Sequence, residues 1–405
     1  MKSISSAQLL PSQKTPEAII PCLHIPAQPA AHLQAVVIIP VKDEAEQLPA
    51  ALAALSAQVD LEGRPLPPGW FEVLVLANNC QDSSAAEARR FAADHPHMCL
   101  HVAEISLPPA EAHIGRARRL LMDEACRRLE LVGHPAGFIA STDGDTCVAS
   151  TWLAATQREL RQFAVAAVCG RILTPTRPRS SLVRRYHLRD AAYRLLQARL
   201  EAELDPNPND PWPRHHQHFG ASFAITAAAY RQVGGLPVVP YLEDEALYRA
   251  LRRHDLSVRH SPAVRVLTSD RQQGRVAVGL SWQLREWELL AGQTQPVVAG
   301  MPHVVATLLL RRHLRHLWLE TQAVILPEIM LWNQHYGIAP VAEELGVSRV
   351  ALLLRLRQAT TFGQLWEWIE QDVLPGPAWA RRWQPVPLSQ GLQELRLRLF
   401  ATRAA

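Results

Sequence analysis

The stretch Gly137-Phe138-Ile139-Ala140-Ser141-Thr142-Asp143-Gly144-Asp145-Thr146 decides how this chain is read. Its first four residues are apolar, and Val148 to Leu153 follow as the start of an amphipathic segment. The pattern is a buried strand that ends in two carboxylates and then turns into a helix. Carboxylates two positions apart with glycine between them can both reach one hard cation from a kinked backbone. The partner such a cation usually needs is a diphosphate. An Asp-Gly turn with a solvated Asp explains this stretch equally well when it is taken alone.

Composition bounds the answer. The 405 residues suit two or three domains, and 48% hydrophobic with 20% charged residues is the balance of an ordinary soluble globular protein. The net charge of +4 is too small to point to nucleic acid or membranes. The six cysteines are scattered without a C-x-x-C pair, which predicts reduced thiols and a cytoplasmic protein. No signal-peptide pattern opens the chain, and its most apolar segment, Val304 to Leu310, is closed by Arg311, Arg312 and His313, so no membrane span is predicted.

Residues 1–33, rich in Pro, Ala, Ser and Gln, read as a flexible arm. Ala35 to Pro40 is a β-branched run without polar alternation, as in a parallel strand buried on both faces, and Lys42-Asp43-Glu44 forms a polar lip at its end. Phe71 to Ala77 is a second strand, ended by Asn78-Asn79-Cys80-Gln81-Asp82, and Cys99 to Ile105 is a third. Helices are predicted over Glu46 to Gln58, Ala85 to Asp94 and His113 to Leu129. Strands alternating with helices predict an α/β doubly wound, mostly parallel sheet, whose ligands sit outside the carboxyl ends of the strands. All the polar clusters named lie at those ends, which favours a nucleotide-diphosphate site over a solvated turn. No G-x-G-x-x-G follows the first strand and no P-loop is present, so phosphate must be held through a cation and basic side chains.

These residues resemble the family 2 glycosyltransferases of the GT-A fold. VVIIPVKDE resembles the opening strand and lip, VLVLANNCQDSS the second strand and its turn, GRARR (115–119) the G-x-A-R-N helix start, and STDGDT the D-x-D turn. Further on, GASFAITAAAYRQVGGLP resembles the acceptor-side segment, and LEDEALYRALRRHDLSVRHSP the E-D motif with its helix and strand. The resemblance covers 34–275, with a nucleotide-binding half, 34–150, and an acceptor half, 151–275. It implies a donor that is a nucleotide-diphosphate sugar and a cation that is Mn²⁺ or Mg²⁺.

It also implies residue roles. Pro40, Asp43 or Glu44, Asn79, Asp82, Arg118 and Asp143 would line the nucleotide site, and Asp145, with Asp143, would ligate the metal. Asp244 would take the proton from the acceptor hydroxyl, beside Glu243. Neighbouring carboxylates raise one another's pKa towards values useful for a base, although Glu243-Asp244-Glu245 also reads as an acidic first helical turn. Two departures stand out. Asn78-Asn79 stands where many members have Asp-Asp. No His follows the last strand, whose metal or phosphate role passes to Asp270, Arg271 or Arg275, and the processive Q-x-x-R-W is absent.

His215, His216 and His218 suit either a transition-metal site or, more readily, polar site-lining positions, with His218 beside acceptor or phosphate. Asp205 to Pro211 is a loop after a helix, Leu182 to Leu204. Residues 276–405 read as helical with no strand. Within them VAEELGVSRVALLLRLR (341–357) resembles a helix-turn-helix but reads more readily as a structural hairpin, whose apolar second helix offers little to base edges, so no nucleic-acid partner is predicted. Trp318, Trp332, Trp366, Trp368, Trp379 and Trp383 suit a packed core or a patch that meets a partner or membrane surface. The competing readings are a nucleotidyltransferase, which PVKDE does not support because it lacks a Gly-rich basic loop, and a degenerate scaffold with a nucleic-acid-binding tail.

Overall fold

The computed structural model describes residues 22–175, 182–269, 280–290, 295–323 and 337–400. The first strand, β1 (Ala35–Val41), is buried along its whole length. Parallel to it run β2 (Phe71–Asn78) on one side and β4 (Phe138–Ser141) on the other, with β3 (Leu100–Ile105) parallel outside β2. Residues of β1 alternate between two cores. Ala35, Val37 and Ile39 face α1 (Leu48–Ser56), α2 (Ser84–Asp94) and α4 (Trp152–Gln162), whereas Val36 and Ile38 face α3 (Ile114–Leu131). A strand covered by helices on both faces has no polar side to show, which is why its sequence is a continuous apolar run.

The full sheet has eight strands in the order β3-β2-β1-β4-β7-β6-β8-β5, completed by β5 (Thr146–Val148), β6 (Ala167–Leu173), β7 (Phe223–Thr226) and β8 (Val258–Thr268). It is mostly parallel, as expected, but β7 runs antiparallel between β4 and β6, and β5 antiparallel on the edge beside β8. From β1 the chain builds outward through β2 to β3, then returns through α3 to place β4 on the other side of β1. A crevice therefore opens at their carboxyl ends, where all the polar tips lie. Helix α5 (Leu182–Leu204) follows β6, and α6 (Ala227–Gln232) and α7 (Glu243–Arg253) lie on the α3 side.

Among the described residues the remaining α-helices are α8 (Leu280–Leu290), α9 (Met301–Ala323), α10 (Ile338–Leu345), α11 (Arg349–Gln358), α12 (Phe362–Trp368), which runs on into a π-helical turn over Ile369–Val373, α13 (Pro377–Arg382) and α14 (Leu388–Phe400). The strandless tail expected from sequence needs one correction. Val297–Val298 (β9) pairs antiparallel with Val386–Pro387 (β10), a pairing too short to leave a periodic signal. Trp366 and Trp379 are buried in a core built from α9 to α13, with Trp318, Trp368 and Trp383 packed against it, while Trp332 lies outside the described residues. Helices α10 and α11 form a hairpin on α9, turned by Gly346 at φ 68° and capped by Ser348. Among the described residues no helix is long and apolar enough to cross a membrane.

Two buried ionic networks hold the layers together. Arg128 on α3 is fully buried; it donates to Glu72 on β2 at 2.6 Å and to the carbonyls of Ile25 and Ala27, while Ile25 N–H donates to Glu124. The described part of the N-terminal arm, 22–33, is fixed by these bonds and by buried Leu33. In the second network Asp210, in the loop after α5, accepts from Arg259 at 2.9 Å and from the backbone and ring of His260. Arg259 also reaches Glu159 on α4, and Glu201 pairs with Arg214 and Arg311, joining α5 and its loop to α9.

Removing one partner of a buried pair strands the other charge. Arg128→Ala should therefore cost about 3–5 kcal/mol in urea unfolding and speed proteolysis within residues 22–33. An unchanged unfolding midpoint would contradict this account of the arm. Acid should act on the second network. Burial would raise Asp210, but His260 and Arg214 hold it at about 2; against burial again, Arg311 and Arg214 hold Glu201 at about 2. Burial, reinforced by Arg194, lowers His216 to about 3. Each group is protonated more readily in the unfolded chain. Their stabilisation is therefore complete above the ordinary His value of 6.5 and lost as pH falls, first through His216 with His215 and His260, which burial also lowers, then below 4.5 through Glu201 and Asp210. Urea midpoints at pH 7, 5.5 and 4 should fall in that order, and His216→Gln should reduce the first step.

Candidate functional site

The crevice floor is laced by backbone bonds that the acidic side chains collect. Asp43 takes φ 54°, a left-handed conformation rare outside glycine, and its carboxylate accepts the N–H groups of Gln81 at 2.6 Å and Asp82 at 3.3 Å. Burial opposes the charge, but the Gln81 N–H and Lys42 hold the Asp43 carboxyl below its usual range. Asp82 accepts from Ala45 N–H at 2.9 Å and from both the N–H and hydroxyl of Ser84, whose oxygen accepts from Glu44 N–H at 2.7 Å. Asn79, at φ 50°, pairs its amide both ways with the backbone of Leu107. Asp43, Cys80 and Asp82 bring ligand atoms within 4.8 Å of one another, but the Cys80 sulfur is itself part of the lacing, bonded to Asp43 N–H and Val41 O. Pro40 is buried within β1, level with Leu76.

The D-x-D turn continues the β4 ladder by one bond, Thr142 N–H to Ile38 O, and so carries Asp143 to the end of β1. At Gly144 the turn runs close to Glu44, whose Cγ would lie 3.1 Å from a Cβ built there, a tight contact. Asp145 stands between β5 and β8, where the Thr146 and Thr268 hydroxyls bond to one another at 2.8 Å and reach its carboxylate at 3.4 and 3.5 Å. Asp143 and Asp145 offer a donor set of carboxylate oxygens, the type that suits Mg²⁺ or Mn²⁺.

Arg118, on α3, joins this turn to α7. Its side chain is only 5% exposed; one arm donates to Asp143 at 2.7 Å and the other to Glu243. A Cβ at Gly220 would lie within 2.6 Å of three guanidinium atoms, so Gly220 is the space the guanidinium fills. Gly220 also donates its N–H to Asp244 Oδ2 at 2.8 Å, and Glu245 N–H donates to Oδ1 at the same distance. Glu245 in turn meets His218 and Arg249, each at 2.6 Å, and these two overcome the effect of burial to hold it at about 2. Burial raises the Glu243 carboxyl despite Arg118, with Asp244 adding to the rise. Burial also raises Asp143, against Arg118 and with the like charges of Asp244 and Glu44.

Asp143, Arg118, Glu243 and Asp244 thus come together in space, with Glu44 beside Gly144 and His218 beside Glu245. Arg271, Arg275 and Asp270 lie outside the described residues. His215 is buried, bonded to Ser261 O and Gln217 N–H, away from any metal-like grouping among the described residues. Sequence reading missed Gly220, Ser84 and Thr268. The only signal for Gly220 was a glycine at the start of the acceptor-side segment, and its partner Arg118 is about a hundred residues away. Arg118, expected at the nucleotide, has two of its three nitrogens on Asp143 and Glu243.

No family model matches the chain and no curated protein matches it. Among solved structures, the Staphylococcus aureus protein TarS (residues 1–349), in complex with UDP-GlcNAc, is 15% identical with a TM-score of 0.42, covering 84% of this chain and 92% of that one. The mannosyltransferase PcManGT from Pyrobaculum calidifontis, in complex with GDP-Man and Mn²⁺, is 15% identical with a TM-score of 0.39, covering 92% and 87%. Glucosyl-3-phosphoglycerate synthase from Mycobacterium tuberculosis, with Mn²⁺, UDP-Glc and phosphoglyceric acid, is 15% identical with a TM-score of 0.35, covering 66% and 84%. Likeness at this level leaves the activity to be argued from the site.

Proposed function

We propose that this protein is a GT-A-type glycosyltransferase resembling family 2, which moves a sugar from a nucleotide-diphosphate sugar to an acceptor hydroxyl with inversion at the anomeric carbon. One observation carries the reading. The polar ends of the adjacent strands β2, β1 and β4 open on one crevice, and Arg118 ties Asp143 in that crevice to Glu243, the neighbour of Asp244. In this reading Asp43, Glu44 and Asp82 line the nucleoside side, and Asp145, with Asp143, would hold Mn²⁺ or Mg²⁺. When bound, such a cation offsets the charge that develops on the departing diphosphate.

The remaining work falls to side chains of the chain. Gly220 and Glu245 N–H groups aim Asp244, which accepts the acceptor's proton as the acceptor oxygen bonds to the anomeric carbon and the bond from that carbon to the diphosphate breaks. Glu243 does not share this task, because it is buried against Arg118. His218, 18% exposed and stacked on Tyr248 with ring centroids 4.2 Å apart, lines the acceptor side. We propose a cytoplasmic enzyme without a nucleic-acid partner; the acceptor is a hydroxyl compound whose identity these residues do not encode.

Two variants separate the roles. Asp145→Ala and Asp244→Asn should each lower transfer by about 100-fold or more, the scale of losing charge stabilisation or a positioned base. Calorimetric titration with a nucleoside diphosphate and Mn²⁺ should show weaker binding in Asp145→Ala and unchanged binding in Asp244→Asn. Equal losses of binding in both would break the assignment.

A further inference from the structure

We infer that the C-terminal helical region serves the reaction by holding α7 from behind, with Asp255, Gly363, Glu367 and Glu370 as positioning residues for the helix that presents Asp244. The inference rests on Asp244 being the base, and it gives the tail a task that sequence alone did not. Helix α7 has 11 residues, so about 16 Å separates its ends. At the front end Leu242 enters at φ 59° and supplies no side-chain cap, so that end is held through the side chains of Glu243, Asp244 and Glu245.

The back end is bound to α12 by a dense set of bonds. Asp255, turning out of α7 at φ 52°, accepts the N–H groups of Phe362 at 2.8 Å and Gly363 at 2.7 Å, filling the donors at the start of α12. Thr361 donates its hydroxyl to Arg253 O at 2.5 Å. Arg253 forms a two-bond pair with Glu367, and Arg252 meets Glu370 at 3.2 Å. Gly363 permits the approach, because a Cβ there would lie 1.7 Å from Arg252 O.

Contacts run unbroken from this clamp to the reacting end. Arg252 lies over the Tyr248 ring at 5.8 Å, Tyr248 stacks on His218, and His218 bonds Glu245, the residue after Asp244.

The test uses the full chain with Gly363→Val, which must push α12 off Arg252, and the milder Glu370→Gln and Asp255→Ala, with Asp255→Asn as the conservative control. Transfer kinetics, nucleoside diphosphate affinity with Mn²⁺, and hydrogen exchange over residues 243–253 are compared with wild type. Expected are kcat values about tenfold lower or less still for Gly363→Val and Asp255→Ala, with nucleotide affinity within about twofold of wild type and faster exchange at the α7 N-terminus. Asp255→Asn should recover part of kcat. Unchanged kcat in folded variants, with only the unfolding midpoint lowered, would overturn the inference, and Glu370→Gln keeps that outcome readable if Gly363→Val does not fold. A wild-type chain that neither binds nucleotide nor transfers sugar would overturn the proposed function. The clamp would then still be decided by exchange, and no change at the α7 N-terminus in any variant would refute it.

Discussion

The structure turns on one buried cation. Arg118 sits where the D-x-D turn at the end of β4 meets the acidic start of α7, and without it Asp143, Glu243, Asp244 and Glu44 would face one another in a shielded crevice. A guanidinium suits the position because it is planar, permanently charged and able to bond to carboxylates in two directions at once. Its place was made by removing a side chain at Gly220, and that glycine's N–H then fixes the neighbouring carboxylate. One residue therefore links the half of the sheet that would bind a nucleotide to the half that would receive an acceptor. Burial, with the neighbouring carboxylates adding to it, raises the Glu243 and Asp143 carboxyls, a perturbation of the kind found at functional sites.

The other ionic groups divide by distance from this centre. Arg128 with Glu72, and Asp210 with Arg259 and His260, are buried pairs that fasten layers and loops. Of these residues, His260 also meets the His218 ring edge-on, with centroids 6.3 Å apart. The lacing of Asp43, Asp82, Asn79 and Ser84 lies between these classes. It spends several side-chain acceptors on backbone N–H groups, so the lip and the turn after β2 form one preorganised rim.

How much was legible follows from the range of each interaction. Strands β1, β2 and β4 were readable because burial on both faces writes an unbroken apolar run into a short segment. The three-residue β5 and the two-residue β9 and β10 carry too few residues for a period, whereas the four-residue β7 was expected as the strand of the acceptor-side segment. The antiparallel placement of β7 depends on partners far along the chain. Clusters at strand ends were visible as clusters, but their partners were not. Arg118 could be seen as a basic residue near a helix start, yet its bonds to Asp143 and Glu243 span 25 and 125 residues. The tail's tryptophans suited a core or an exposed patch, and among the described residues Trp318, Trp366, Trp368, Trp379 and Trp383 pack in or against a core, whereas Asp255 and Gly363 gave no local sign that they meet.

The most direct test of a nucleotide site at the ends of β1, β2 and β4 is thermal unfolding of the full chain. Nucleoside diphosphates and their sugars would be screened, each with Mn²⁺, Mg²⁺ or EDTA. A ligand at about a hundred times its dissociation constant adds roughly 2.7 kcal/mol to stability, enough to move the transition clearly. The account predicts a shift with one nucleotide family that vanishes in EDTA and in Asp145→Ala. No shift with any nucleotide, or one indifferent to both EDTA and Asp145, would contradict it.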